Sequence, residues 1–597
     1  MKVLVFVLLI LIPGIQTRAG GIMTTAHNLS VTGSGAVKAA SETNLCIFCH
    51  TIHRTTGQTP LWSHSLSSVT NYVVYSSSTL KAAVGQPDGS SRLCLSCHDG
   101  TVALGMVSSR ANPIAMQNGV TTMPAGADNL GTDLSGDHPI SFVYDQNLAN
   151  ADNQILNPNT INPALKLDSQ HKLQCVTCHD PHNDQFGNFL VMDNTTSALC
   201  MACHVEPGWT GSAHSTASSQ LASVSTLNAK IATRRNAASP HTANVTGCEI
   251  CHVSHKAGSK SRLLIQAKEE QICFSCHNGR NQSKDLASVF NKASAHPLLQ
   301  TSAEHNPMED PINGPRHTAC ADCHNPHAVT AQKNTTRMAN TSRPVAGVKG
   351  MSAAGMLLNP ASSEYELCFR CHADSKNREP SLVPRQFSET NKRLQFKLAN
   401  TSFHPLLGPG RNFNVPSLVS PWSSGSTINC TDCHNNDQGS SVGGNGPDGP
   451  HGSAFAPILE RRLVLTDNSP ESAGNYALCY KCHNRSSILS DQSFRASNMA
   501  GQDRGHRFHI VDQRTSCTTC HDSHGVQQQA HLVNFNRNYV TPSSNGRIEY
   551  ISSGPNRGNC SLTCHGVDHN NTSYPMPSLI RPTPAVIPQR IASGASR

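Results

Sequence analysis

The cysteines constrain this chain more than any other feature. All 24 fall into pairs, and each of the twelve pairs is followed at once by a histidine. The first six sets are Cys46, Cys49 and His50; Cys94, Cys97 and His98; Cys175, Cys178 and His179; Cys200, Cys203 and His204; Cys248, Cys251 and His252; and Cys273, Cys276 and His277. The next five are Cys320, Cys323 and His324; Cys368, Cys371 and His372; Cys430, Cys433 and His434; Cys479, Cys482 and His483; and Cys517, Cys520 and His521. The last, Cys560, Cys564 and His565, has three residues between its cysteines where the others have two.

C-x-x-C-H is the signature of covalent c-type haem attachment. Two thiols add to the two vinyl groups of haem, and the adjacent histidine lies against the iron as proximal ligand. Zinc sites and disulfides also use paired cysteines, but neither requires a histidine directly after the second one. No cysteine is left over for a disulfide. Twelve covalent haems c are therefore expected.

The motifs alternate between two kinds, as an internal repeat does. The first kind carries a trailing histidine three residues on: His53, His182, His255, His327 and His524. The ninth motif has Asp437 there, and a Gly/Asn/Asp-rich insertion is read as moving its equivalent to His451. A third element precedes each pair of motifs, a histidine often followed by proline: His27, His138, His214, His296, His404 and His506. The chain then reads as six two-haem units over 20–130, 131–209, 210–290, 291–395, 396–500 and 501–597, behind a leader at 1–19.

Each unit holds two haems and two spare histidines, so twelve irons have twelve candidate distal ligands. A trailing histidine is too close in sequence to reach the far face of its own haem, and ligation of a neighbouring haem is expected. Rivals exist for four upstream positions: His171, His241, His317 and His509 could replace His138, His214, His296 and His506. His64, His305, His531 and His569 fit no repeat and read as surface or propionate contacts.

The leader has Lys2, an apolar stretch Val3 to Ile15, and small residues around Thr17-Arg18-Ala19. That is the pattern of a cleaved export signal, too short for a comfortable membrane span. Export to the periplasm or outer surface is expected, with no transmembrane segment in the mature chain. The formal charge of +8 is scattered, and twelve haems would add roughly 24 propionate charges of opposite sign. Nucleic-acid binding is therefore not expected.

Only 5% of residues are aromatic, and Ser, Asn, Gly and Pro fill the intervals between motifs. Haem must supply the core that the side chains do not. The expected fold is mostly irregular, with short α-helices at many motifs and little β-structure. Surface loops are expected at 119–137 and 435–452, and an extended tail after His569.

Repeated C-x-x-C-H-x-x-H followed by C-x-x-C-H resembles the doubled C-x-x-C-H multihaem cytochromes common in metal-reducing bacteria, over roughly residues 22–570. The resemblance implies electron transport across the periplasm, through an outer-membrane porin–cytochrome conduit, or along an extracellular filament. Other redox proteins and an extracellular acceptor would be its partners. With both axial positions filled by histidine an iron has no open site, which suits electron transfer over catalysis. Two alternatives stand beside this reading: a nitrite- or hydroxylamine-type oxidoreductase with one open haem, and a cytochrome that polymerises.

Overall fold

The computed structural model describes residues 21–53, 61–215, 247–279, 284–301, 305–330, 343–494, 505–555 and 557–574. The leader at 1–19, His241 and the proline-rich tail from 575 lie outside them. Among the described residues the architecture is a succession of short helices, two-residue strand pairs and long irregular connections. No described helix is long and apolar enough to cross a membrane.

The motifs nucleate most of the helices. First-kind motifs form single turns, such as Cys175–Cys178, Cys320–Cys323 and Cys517–Cys520. The residue before the second cysteine caps three such turns by accepting a backbone N–H from just before the first cysteine. Thr177 Oγ1 accepts from Gln174 at 3.0 Å, Asp322 Oδ2 from Ala319 at 2.7 Å, and Asp432 Oδ2 from Asn429 at 2.8 Å. Such caps satisfy amide groups that have no partner inside a helix this short. Several second-kind motifs end longer helices, Gly89–His98, Glu269–Cys276 and Glu364–His372.

After a first-kind motif the histidine leaves the helix in extended backbone and pairs with the apolar run that follows. The pairs are His50 with Trp62, His179 with Leu190, His252 with Leu264, His434 with Leu459, and His521 with Val533. The residue before each partner is a bulky one in left-handed backbone: Leu61, Phe189, Leu263, Ile458 and Leu532, with φ between 51° and 60°. The same strained turn recurs five times.

Buried apolar side chains form separate small clusters. The largest comprises Met351, Phe369, Ala373, Phe396 and Leu406. Several clusters take residues from inside a motif, Ile47 and Phe48 in one, Leu95 in another, Phe369 in a third. Clusters this small bury too little apolar surface to offset the entropy of ordering the loops between them.

Two sequence expectations change. The C-terminal region is a four-stranded antiparallel sheet, with Glu549–Gly554, Arg557–Cys564 and Val567–Tyr574 in order and Val540–Thr541 beside the central strand. The twelfth motif lies in that central strand and not on a helix. The 435–452 segment is the expected surface loop, exposed at 438, 440, 441, 443 and 445 and held from within by two asparagines. Asn435 and Asn436 are buried; Asn436 Nδ2 donates to the Pro447 carbonyl at 2.9 Å, and Gly449 N donates to Asn435 Oδ1 at 2.6 Å. His64 is fully buried and not a surface residue, its Nδ1 donating to the Ser65 carbonyl at 2.9 Å.

If haem supplies the missing core, the haem-free chain should not fold. Produced without the haem-attachment machinery, it should show an unfolded circular dichroism spectrum and be cut throughout by protease levels the loaded protein survives. Cooperative thermal unfolding of the haem-free chain would contradict this.

Candidate haem-binding chain

Ten histidines that follow a motif each face a second histidine ring at nearly one spacing. The upstream histidine of a unit faces its second motif: His27 with His98, His138 with His204, His214 with His277, and His296 with His372, at 6.1, 6.1, 6.3 and 6.2 Å between ring centres. The trailing histidine faces the first motif of the preceding unit. These pairs are His182 with His50 at 6.0 Å, His255 with His179 at 6.2 Å, His327 with His252 at 6.1 Å, His451 with His324 at 6.0 Å, and His524 with His434 at 6.2 Å. The tenth pair, His506 with His521 at 6.3 Å, lies in the last unit.

The spacing can be tested against an iron held between the rings. A metal–nitrogen bond of roughly 2 Å plus about 1.1 Å from nitrogen to ring centre, taken on both sides, separates the centres by about 6.2 Å. All ten pairs fit that distance. His404 lies near enough to His483 for its charge to lower the pKa of that ring, after the larger effect of burial.

The upstream and trailing histidines meet at a common joint, so the two distal ligands of one unit are positioned together. Nδ1 of His27, His214 and His296 donates to the carbonyls of Pro181, Pro326 and Pro450, each just before a trailing histidine, at 3.0, 2.8 and 2.6 Å. His404 N donates to the His524 carbonyl at 2.9 Å, and His138 N to the Ser254 carbonyl at 2.8 Å. Strand pairs Ser294–Ala295 with Gly452–Ser453 and Ser402–Phe403 with Gly525–Val526 extend two of these joints. The insertion before His451 thus delivers it to the place that the other trailing histidines hold.

The motif histidines are oriented in the same way. Nδ1 of His98, His179, His252, His324, His434 and His521 donates to the carbonyls of Asp128, Asn188, Arg262, Pro344, Pro457 and His531, at 2.7–2.9 Å. A donor Nδ1–H fixes the ring and leaves the Nε2 lone pair for a metal. Burial then holds the rings neutral: it pushes His138 and His521 down to about 4, and His451 and His506 to about 3. Four of the strained turns supply one of these carbonyls or flank it. Sequence reasoning missed them because left-handed Phe, Leu or Ile has no sequence signature.

The cysteines link successive motifs by two alternating contacts. The first cysteine of one unit's second motif lies beside the first cysteine of the next unit's first motif: Cys94 by Cys175, Cys200 by Cys248, Cys273 by Cys320, Cys368 by Cys430, and Cys479 by Cys517. Within a unit the second cysteines lie close enough for the charge of one to reach the other: Cys49 and Cys97, Cys178 and Cys203, Cys251 and Cys276, Cys323 and Cys371, Cys433 and Cys482, and Cys520 and Cys564. Motif order in space therefore follows motif order in sequence. None of the 24 cysteines forms a disulfide. One cavity of about 2780 Å³ is lined by motif residues from Cys46 to Cys320, continuing to His324 and His451.

The expected ligand set needs two amendments. His53 is exposed and faces no histidine ring among the described residues. His565 donates from Nε2 to the buried carboxylate of Asp467 at 2.9 Å. In the strand Cys560 and Cys564 share a face, four residues or about 13 Å apart along the chain. Attachment of one haem at that motif requires the strand to bend locally; the other eleven motifs hold their cysteines on a helical turn or a bend.

Among the rivals, His171 is exposed while His138 faces His204. His317 is engaged by Glu309 at 2.9 Å while His296 faces His372. His241 lies outside the described residues. His305 donates from Nδ1 to Asp322 at 2.6 Å, in an ionic group that includes Arg370.

The crossed pairing has a direct consequence. Replacing His327 with alanine should convert one haem from low to high spin, namely that of His252 in the preceding unit. Adding C248A and C251A, which removes that haem, should abolish the high-spin signal, whereas adding C320A and C323A should not. The opposite pattern in electron paramagnetic resonance would show that His327 serves its own motif.

Residues 170–208 and 241–282 match the family model of the doubled CXXCH motif. No curated protein matches the chain. The two matched segments hold the motifs from Cys175 to His277, the same pattern that recurs from Cys46 to His565. The match supports a multihaem c-type cytochrome that binds haem covalently at these motifs.

Proposed function

We propose that the protein is an exported dodecahaem c-type cytochrome that carries electrons along a chain of low-spin haems toward an extracellular acceptor. The observation that carries this reading is the pairing of motif histidines with second histidines at 6.0–6.3 Å. The alternating cysteine contacts add that consecutive haems would be neighbours in chain order. Haem supplies reversible one-electron chemistry at its iron. The chain's own residues do the rest.

The paired imidazoles would hold a haem iron from both sides, which would leave no site for substrate and suit one-electron transfer. Where a backbone carbonyl accepts from Nδ1, it holds the ring in place and tunes its basicity. The trailing histidines differ from the upstream ones in this respect. His255 Nδ1 lies 3.1 Å from Asp137 and His327 Nδ1 lies 3.4 Å from Glu206, whereas His451 Nδ1 is buried without a partner. A carboxylate at Nδ1 makes the ring a stronger donor and favours ferric iron, so the haem of His324 is expected at a higher potential than that of His179.

Cys46 and Cys371 are the exposed members of the cysteine set. Electrons would pass to or from other redox proteins. The periplasm or outer surface is the compartment that export of a c-type cytochrome implies.

The test joins mass with spectroscopy. Intact mass of the secreted protein should exceed the processed polypeptide by twelve haems, with a wholly low-spin ferric spectrum and no turnover of nitrite or hydroxylamine. A high-spin haem accompanied by turnover would replace the carrier with an oxidoreductase.

A further inference from the structure

The fourth unit, 291–395, carries two histidines that the paired rings leave unused, and the fold brings them to one place. His305 Nδ1 lies 2.6 Å from Asp322 Oδ1, and His317 Nε2 lies 2.9 Å from Glu309 Oε2 and 3.5 Å from Asp322 Oδ2. The ligand atoms of His305, Glu309 and Asp322 all fall within 4.8 Å of one another, the one group of three or more His, Cys, Asp and Glu side chains gathered this closely among the described residues. The four side chains are 11–19% exposed, sheltered yet open to a small ion.

Their orientation favours a metal over a plain ionic cluster. His317 donates from Nδ1 to the Pro315 carbonyl at 3.2 Å, so in the neutral ring the Nε2 lone pair points at two carboxylate oxygens. Such groups repel one another unless a cation lies between them. Arg370 does not fill that role: its Nη2 takes Oε1 of Glu309, the other oxygen, and its Nη1 is 3.8 Å from Asp322 Oδ1. Ala319 N holds Asp322 Oδ2 from outside at 2.7 Å. Ligating carboxylates are commonly fixed by such outer partners. One guanidinium against two carboxylates also leaves a negative charge for a divalent cation to offset. A proton on His317 Nε2 is the competing cation, and metal content separates the two.

We propose that His305, Glu309, His317 and Asp322 form a zinc site. Imidazole nitrogens with carboxylate oxygens suit zinc, whereas calcium and magnesium take oxygen alone. Donor atoms around a tetrahedral zinc stand roughly 3.3 Å apart, and the three contacts here are 2.6, 2.9 and 3.5 Å. The ion displaces the proton that His305 Nδ1 shares with Asp322. Asp322 lies between the cysteines of the seventh motif, and Arg370 between those of the eighth. Glu269, on the helix of the sixth motif, accepts the backbone N–H of His305 at 3.2 Å and of Ala321 at 2.7 Å. Zinc thus ties the 305–317 segment to motifs of two successive units. It uses none of the paired histidines, so failure of this inference leaves the electron-carrier reading intact.

The test uses the haem-loaded full chain, stripped with EDTA, dialysed against Zn2+ and desalted, with zinc and iron counted by plasma mass spectrometry. Wild type and H171A, which alters an exposed histidine elsewhere, should retain one zinc per chain. H305A/H317A should retain none while its iron content stays unchanged. The milder H317Q should bind zinc roughly tenfold more weakly or worse, since loss of a partner behind a ligand already costs that much. Zinc-edge X-ray absorption should show nitrogen and oxygen ligands at roughly 2.0–2.2 Å. A wild type that keeps no zinc would overturn the site, and so would unchanged affinity in H317Q. Zinc that survives in H305A/H317A would be an adventitious ion only, with the same consequence. A sulfur ligand at roughly 2.3 Å would place the ion at unattached cysteines instead.

Discussion

The structure depends on one geometric requirement: two imidazoles must present Nε2 to a shared iron from opposite sides. A motif histidine satisfies half of it by following two anchored cysteines. The other half must come from a distant part of the chain, and the way it arrives determines the connectivity. In the first five units one candidate distal histidine would come from the unit's own upstream segment and one from the unit that follows. Successive units are therefore interlocked through the ligands, not merely stacked, and a shift of one unit against the next would misplace both distal ligands at their joint.

That requirement explains features that would be costly in an ordinary domain. Bulky residues in left-handed backbone cost about 1 kcal/mol or more each, yet Leu61, Phe189, Leu263, Ile458 and Leu532 adopt it at equivalent points. The turn reverses the chain just after a first-kind motif, pairing the next residue with the motif histidine. In most cases it also brings a carbonyl to that ring's Nδ1. Small apolar clusters around Phe48, Leu95 and Phe369 have the same logic: they secure the short helices that carry the cysteines, and the interior between motifs is left to the haem faces.

The sequence made the motifs, their two kinds and the need for a neighbouring haem legible, because these depend on spacing alone. The displaced His451 was legible for the same reason, since its Gly-Pro-His-Gly setting matches the other trailing histidines. What spacing could not disclose was direction. Whether His182 reaches forward or backward depends on how Asp180 to Val191 turns, and that turn rests on left-handed Phe189, which no residue pattern announces. The strand at 557–564 was not expected, because the sequence reading placed short helices at many motifs and no strand at this one. His64 looked like a surface residue only because it had no place in the repeat.

The central claim is that ligands cross between units in one direction and set the haems in chain order. A cryo-electron microscopy map of the haem-loaded protein tests it most directly, because iron positions are then seen relative to named histidines. The account predicts irons in motif order, with those of the first motifs midway between His50 and His182, His179 and His255, and His252 and His327. Iron held between a motif histidine and the trailing histidine of the same motif, such as His179 with His182, would contradict it.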